Sequence, residues 1–341
     1  MEINRALLND FFNGLDERSR KALDSAVTKV VETKKKNGKV AVVTGSGPNI
    51  HEGVTTLIAE LIGKGIIDGV TTSSAVINHE MGGALDRVKM CDASQLGLDR
   101  TKMPRGNVFE FTDLSEEETD ILRKEMLLDE DLLKKGKSAE GRMVIKAAGN
   151  MAYPMGLRTE KIAEEILTLS RLSGLPFETI AGWGCDSRTM LGVGAEKGVP
   201  VLVTIPQMVG GGHVGLAVGD SIPVAERSKR IADMLGKADV IIESAVALTQ
   251  EIHDGPFETY TGHGIWSWWQ GQPVYSLEKK TLIRFDLDEN LRLAQDLQRE
   301  SSMIQEAIDK GLPKTKISKI PFRMEMSAFA RLENSIPITG D

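Results

Sequence analysis

The chain has 341 residues, 41% hydrophobic and 27% charged, the balance of a soluble globular protein long enough for one large α/β domain or two smaller ones. A formal net charge of -7 argues against a nucleic-acid-binding face. Two cysteines, Cys91 and Cys185, provide neither a disulfide framework nor a Cys-x-x-Cys metal site. The first twenty residues have mixed charge without the apolar core of a signal peptide, and no run approaches the length of a membrane span. A cytoplasmic protein with no membrane partner is the expectation.

Asp16 is expected to cap a helix to about Asn37, with Leu23, Val27, Val30 and Val31 on one face and Gly38 as its stop. Val40 to Thr44 is a short apolar run, the pattern of a buried parallel strand. Gly45-Ser46-Gly47-Pro48 breaks it. Val54, Leu57, Ile58, Leu61 and Ile62 then recur at helical spacing, Gly65 stops the helix, and Ile66 to Thr72 returns as a strand. This βαβ unit requires a right-handed crossover, and in such sheets ligands bind outside the carboxyl ends of the strands. The polar turns Gly45 to Gly53 and Ser73 to Glu80 leave from those ends and are expected to face one crevice. The first turn lacks the full GxGxxG spacing and is not a P-loop. Its free N–H groups at a helix start still favour an anion, so Gly45, Ser46 and Gly47 are read as nucleotide-binding; the competing reading is a tight turn that needs glycine only for its dihedrals.

After Met81-Gly82-Gly83 a short helical pattern runs to Met90, and Asp92 to Asp113 reads as irregular. Ser115 to Lys135 is a charged helical region opened by a capping box. Gly149 to Gly156 is a loop, Thr159 to Leu172 an amphipathic helix, and Ile180 to Asp186 ends in a glycine-rich turn. Met190 to Gly198 reads as a helix, Val199 to Ile205 as a strand closed by Gly210-Gly211-Gly212-His213, and Ala225 to Leu235 as a helix. Val240 to Ile242 and Leu282 to Leu287 are strands, Ala245 to Ile252 a helix, and Asp288 to Lys310 a long polar helix. The fold class is therefore α/β, Rossmann-like, with a mostly parallel sheet and helices on both faces. Residues 1–38 form a helical segment, 39–287 the α/β domain with inserted loops, and 288–341 a helical extension.

All five histidines lie within three residues of a glycine. His51, His79 and His253 each adjoin a carboxylate: Glu52, Glu80 and Asp254. Loops at strand ends are where a fold keeps its reactive groups. His79, Glu80, His213, His253 and Asp254 are read as catalytic candidates, an imidazole being tuned by a carboxylate for acid–base work. Two readings compete: a transition-metal site using His213, His253 and His263, and histidines that only bond loop backbones. Tyr260, Trp266, Trp268 and Trp269 either wall a pocket or pack in the core. Asp186-Ser187-Arg188 reads as a cap with a surface arginine, and no GxSxG elbow is present.

Three stretches resemble the deoxyhypusine synthase-like superfamily. Ser46 to Gly53, the helix to Asp68, Thr71-Thr72-Ser73-Ser74 and Asn78-His79-Glu80 repeat the order of that family's opening. Arg105-Gly106-Asn107 is similar to its Arg/Gly-Asn segment, and Ser187 to Pro206 to the region before its substrate loop. The resemblance implies a Rossmann-like sheet and an NAD site at Ser46, Gly47, Thr72 and Ser73. It also implies a homo-oligomer, dimer or tetramer, with the crevice between subunits, and a transferase or oxidoreductase acting on a small polar or amine ligand. The family's covalent lysine has no counterpart in Glu243 to Gln250, so deoxyhypusine synthesis itself is not expected. A ligand-binding or regulatory protein that keeps the crevice without the chemistry is the alternative.

Overall fold

The structure is a computed structural model and describes residues 9, 12–45, 53–82, 85–99, 108–125, 127–147, 153–244, 279–286 and 335–339. Helix α1 (Glu17–Lys35) starts at Asp16, whose carboxylate accepts from Ser19 N at 2.6 Å. Its inward stripe is Leu23, Ala26, Val30 and Thr33, packed on Val40, Val240 and Ile283. Val27 and Val31, expected on that face, are exposed, because the true stripe is set one residue aside. The stop is made by Asn37 at φ 57, one residue before the expected glycine.

Strand β1 (Val40–Thr44) is followed by α2 (Val54–Gly63) and β2 (Gly69–Thr72). Gly65 adopts φ 70 just past the helix, the left-handed stop its position implied. Strand β2 begins three residues later than its apolar pattern suggests. Asp68, just before it, is drawn instead to Val40 N at 2.9 Å and to the ammonium groups of Lys34 and Lys39.

Strands β6 (Val201–Val203), β7 (Val240–Ser244), β8 (Thr281–Asp286) and β9 (Ser335–Thr339) complete one sheet in the order β6-β2-β1-β7-β8-β9. Every pairing is parallel. The chain winds outward from β1 through β2 to β6, then returns to β1's other side and winds outward through β7, β8 and β9. The winding therefore reverses between β1 and β7. Strand β9 corrects the reading of 288–341 as purely helical: its five residues extend the sheet.

Helices cover both faces. On one lie α2, α3 (Ser74–Met81), α6 (Tyr153–Ser173), α7 (Phe177–Gly182), α8 (Met190–Lys197) and α9 (His213–Ser221), meeting in a core that includes Val42, Ile62, Val70, Phe177 and Met190. On the other, α10 (Val224–Gly236) buries Ile231 and Leu235 against Ala41, Val43 and Leu202. The Rossmann-like α/β architecture is thus present.

Between β2 and β6 the chain builds a second, antiparallel sheet of β3 (Leu85–Asp92), β4 (Val108–Thr112) and β5 (Gly141–Ala147), ordered β4-β3-β5. The helical pattern expected up to Met90 and the irregular stretch beyond it are corrected here. Val88 and Cys91 are both buried and three apart, which mimics helical spacing, yet they point to opposite faces of a strand. Helices α4 (Glu116–Glu125) and α5 (Glu130–Ser138) divide the expected charged helix. The capping box forms, with Glu118 N 3.2 Å from Ser115 Oγ and Ser115 N 2.8 Å from Glu118 Oε2. Lys89 Nζ donates to the carbonyls of Gly136, Lys137 and Ala139 at 2.9–3.1 Å, closing the carboxyl end of α5.

Strand β6 is a sheet edge, and its outward backbone groups need partners. Val203 N donates to Glu178 Oε1 at 2.6 Å, and Val203 O accepts from Arg227 Nη1 at 3.2 Å. Glu178 on α7 and Arg227 on α10 are themselves paired through both carboxylate oxygens, and both are essentially inaccessible. Arg227 Nη2 also reaches Val218 O at 2.9 Å and Ser221 Oγ at 3.2 Å in α9. One buried ion pair thus closes the sheet edge and ties three helices to it.

Candidate functional site

The carboxyl end of the sheet is lined with small hydroxyls. Strands β1, β2 and β7 end at Thr44, Thr72 and Ser244, and Thr204 follows β6. The register pairs Val43 with Thr71, Thr44 with Ser244, and Thr72 with Val203. Thr44 and Thr72 therefore stand side by side. They share a face with Val42 and Val70, the face that α2 covers. Gly45 follows Thr44 and is buried. Ser46 and Gly47 lie outside the described residues.

The first turn of α2 sits over these strand ends. Its cap position, Gly53, adopts φ 73, and the helix start has no side-chain cap and no acidic residue in its first turn. Thr56 Oγ1 donates to Gly53 O at 2.7 Å and to Ile145 O at 3.1 Å. A Cβ on Gly53 would meet Ile145 O at 2.6 Å. Glycine is needed there twice over, for its dihedral and because the end of β5 overhangs the turn.

The polar turn expected over Ser73 to Glu80 is instead helix α3. Ser73 is its N-cap, accepting from Val76 N at 3.3 Å, so this hydroxyl is engaged with the helix. Ser74 Oγ accepts from Gly211 N at 2.8 Å and donates to Gln207 O at 3.1 Å. Gly211 lies so close that a Cβ would stand 2.5 Å from Ser74 O. The segment after β6 is thereby fastened to the start of α3, and the loops leaving β2 and β6 share one wall.

His79 and Glu80 sit in the second turn of α3, about 8 Å along its axis from the strand end. Glu80 is 2% exposed. Its Oε1 accepts from Met190 N at 3.0 Å and its Oε2 from Leu191 N at 2.9 Å, so the carboxylate caps the amino end of α8. Burial pushes its pKa up to about 7, and the two N–H donors pull the other way. The same burial, with the Glu80 and Asp186 charges, raises the Cys185 thiol to about 12 and leaves it inert near neutral pH. The sequence places Glu80 beside a histidine; the structure commits both its oxygens to another helix. His213 opens α9 and lies half-exposed, its Nε2 3.9 Å from Glu164 Oε1. His253 and Asp254 lie outside the described residues, as do His51, His263, the aromatic group at 260–269 and Arg105 to Asn107. Among the described residues no three His, Cys, Asp or Glu side chains cluster as a metal site, and no helix is long and apolar enough to cross a membrane.

No family model matches the sequence, and no curated protein matches it either. Among solved structures, the chain is similar to a variant of AgrE in complex with L-arginine, at 12% identity, covering 89% of this chain and 34% of that one with a TM-score of 0.42. A ternary complex of AgrE with ornithine and NAD+ matches at 12% identity, covering 81% and 29% with a TM-score of 0.40. A LOR/SDH protein from Methanococcus maripaludis S2 matches at 10% identity, covering 80% and 60% with a TM-score of 0.39. The chain spans between 29% and 60% of the length of these structures.

Sequence reading missed the strand-end hydroxyl of Thr44, the antiparallel sheet whose strand β5 overhangs the start of α2, and the Glu178–Arg227 pair. Only the last carried a signal: an arginine inside an otherwise amphipathic helix, at a position its period turns inward.

Proposed function

We propose that the protein binds an NAD-type dinucleotide across the carboxyl ends of β1 and β7 and acts there on a small polar or amine substrate. The observation that carries this is the reversal of winding between these two strands. It leaves a crevice at the strand ends, beside a helix start that bears no side-chain cap. The dinucleotide side is assigned to Gly45, Ser46, Gly47, Thr72 and Ser73, of which Gly45, Thr72 and Ser73 are at these strand ends, in keeping with the resemblance to the deoxyhypusine synthase-like superfamily. The resemblance further suggests a homo-oligomer with the crevice near a subunit boundary.

Acid–base work falls to His79 on α3 and His213 at the start of α9, with His253 and Asp254 as further candidates from the sequence. Glu80 enters only by holding α8 in place. Calorimetry with NAD+, NADH and ADP tests the cofactor. The expected result is saturable binding of NAD+ or NADH below millimolar concentration, and no binding of either at that concentration overturns the reading. Where NAD+ binds, His79→Ala and His213→Ala leave that binding unchanged, and the wild type turns over no candidate substrate, the protein is a ligand-binding module that uses the same crevice.

A further inference from the structure

Five buried threonine hydroxyls at this end of the sheet have no hydrogen-bond partner among the described residues, those of Thr44, Thr55, Thr71, Thr72 and Thr204. Thr71 faces away from α2 and Thr204 follows β6, and the other three gather at the first turn of α2. Thr44 closes β1, Thr72 closes β2, and Thr55 lies in the first turn of α2; they are 0%, 0% and 1% exposed. None of their Oγ1 atoms has a hydrogen-bond partner among the described residues. The neighbouring Thr56 hydroxyl, by contrast, serves two carbonyls. A buried hydroxyl without a partner is costly, and valine would fill the same volume without that cost. Three such groups in one place therefore call for a function that needs the oxygen.

Their directions converge. Strand alternation puts Thr44 and Thr72 side by side on the face that α2 covers. The crossover helix runs back against the strands, so its first turn lies over their carboxyl ends. Thr55 opens the buried stripe continued by Ile58, Ala59 and Ile62, and so faces the sheet. The same turn offers backbone N–H groups with no side-chain cap and no carboxylate to compete for them. A hydroxyl is a rotatable donor and suits an acceptor-rich partner. Donors spread over two strands and a helix start suit a tetrahedral oxyanion better than a planar carboxylate, whose oxygens lie in one plane.

We infer that Thr44, Thr55 and Thr72 form a phosphoryl seat beneath the first turn of α2, which grips the diphosphate of the ligand through side-chain hydroxyls. This inference rests on the dinucleotide reading above and adds what the site recognises: the diphosphate rather than the base. Thr44 and Thr55 are accordingly ligand-binding residues, and diphosphate compounds as a class should compete for the crevice.

The test is calorimetry with NAD+, ADP, adenosine and inorganic pyrophosphate on the full chain, with thermal unfolding of each ligand-free variant. In the wild type, NAD+ and ADP bind, pyrophosphate displaces NAD+, and adenosine is at least tenfold weaker than ADP. Thr44→Val and Thr55→Val each weaken NAD+ roughly ten- to a hundredfold, the loss of one hydrogen bond to a charged group. Thr55→Ser, which keeps the hydroxyl, stays within about threefold of wild type. The ligand-free valine variants melt no lower than wild type, since they lose only an unpartnered group. NAD+ binding within about threefold in both valine variants overturns the phosphoryl seat and leaves the dinucleotide reading standing. A lowered melting temperature with unchanged affinity also overturns it, assigning the hydroxyls to internal water. Failure of NAD+ and ADP to bind the wild type at all removes both readings together.

Discussion

Glu80 gives a pH dependence whose sign follows from its burial. Its pKa is raised from 4.5 to about 7 in the folded chain. Below pH 4.5 it is protonated in both folded and unfolded states, and the contribution to stability is full. Between 4.5 and about 7 the unfolded chain ionises and the folded chain resists, so stability falls as pH rises; above about 7 the loss is complete. At about 1.4 kcal/mol for each pH unit in that window, the total is about 3 kcal/mol. Cys185, held near 12, and Asp186, whose bonds to Arg188 lower its pKa, do not titrate across the upper part of this window. Glu80→Gln removes the titration and exchanges one of the two accepted N–H bonds for an opposed amide, a loss of about 1–3 kcal/mol. Wild type should therefore be the more stable at pH 5, with its advantage gone or reversed at pH 8. Urea unfolding of both proteins at pH 5, 6, 7 and 8, with matching m-values, gives the difference directly. A gap constant to about 0.5 kcal/mol over that range would mean that Glu80 stays ionised throughout and that the two backbone donors outweigh burial.

The edge pair and the second sheet give two more tests. Arg227→Met leaves Glu178 charged and buried and should cost about 3–5 kcal/mol in urea unfolding, while adding Glu178→Leu should recover part of that loss. Full additivity of the two changes would show that they do not act as a pair. Gly136→Ala places a Cβ 2.1 Å from the Phe111 ring. It should destabilise by about 1–3 kcal/mol, and Phe111→Leu in the same chain should relieve it; equal stability of Gly136→Ala and wild type in thermal unfolding would show that the ring gives way freely.

The central sheet was legible because its strands are short apolar runs bounded by turn residues. Val40 to Thr44 and Val240 to Ile242 read as buried strands and lie side by side. The antiparallel sheet was not legible, for a physical reason. Strand β3 is buried on both faces, at Val88 on one and Cys91 on the other, while Arg87 and Lys89 break any apolar run. Lys89 reads as a surface charge, yet its ammonium reaches carbonyls 47 to 50 residues away. No local period contains that information. Glu178 and Arg227 are a partial case: the period of α10 turns Arg227 inward, but nothing local shows that Glu178 and the edge of β6 meet it there.

The crevice was legible in outline and its chemistry was not. A strand, a glycine turn and a helix locate a ligand face by spacing alone, because parallel strands need the crossover. Glu80, next to His79, looks like half of an acid–base pair only while the segment is taken as a turn. Once Ser73 caps a helix, the two side chains differ by about 100° around its axis. The carboxylate then meets α8, whose opening N–H groups need an acceptor. Thr44 suffers the opposite error, whereas Thr72 was singled out only through the family resemblance. Each is an ordinary strand residue in isolation, and their hydroxyls become neighbours only through the pairing of β1 with β2. A spacing argument therefore favours charged residues near the turn, whereas the register singles out uncharged ones at the strand ends. The phosphoryl seat follows from the second kind of reasoning, and that is why its decisive substitutions, threonine to valine, change no charge and almost no shape.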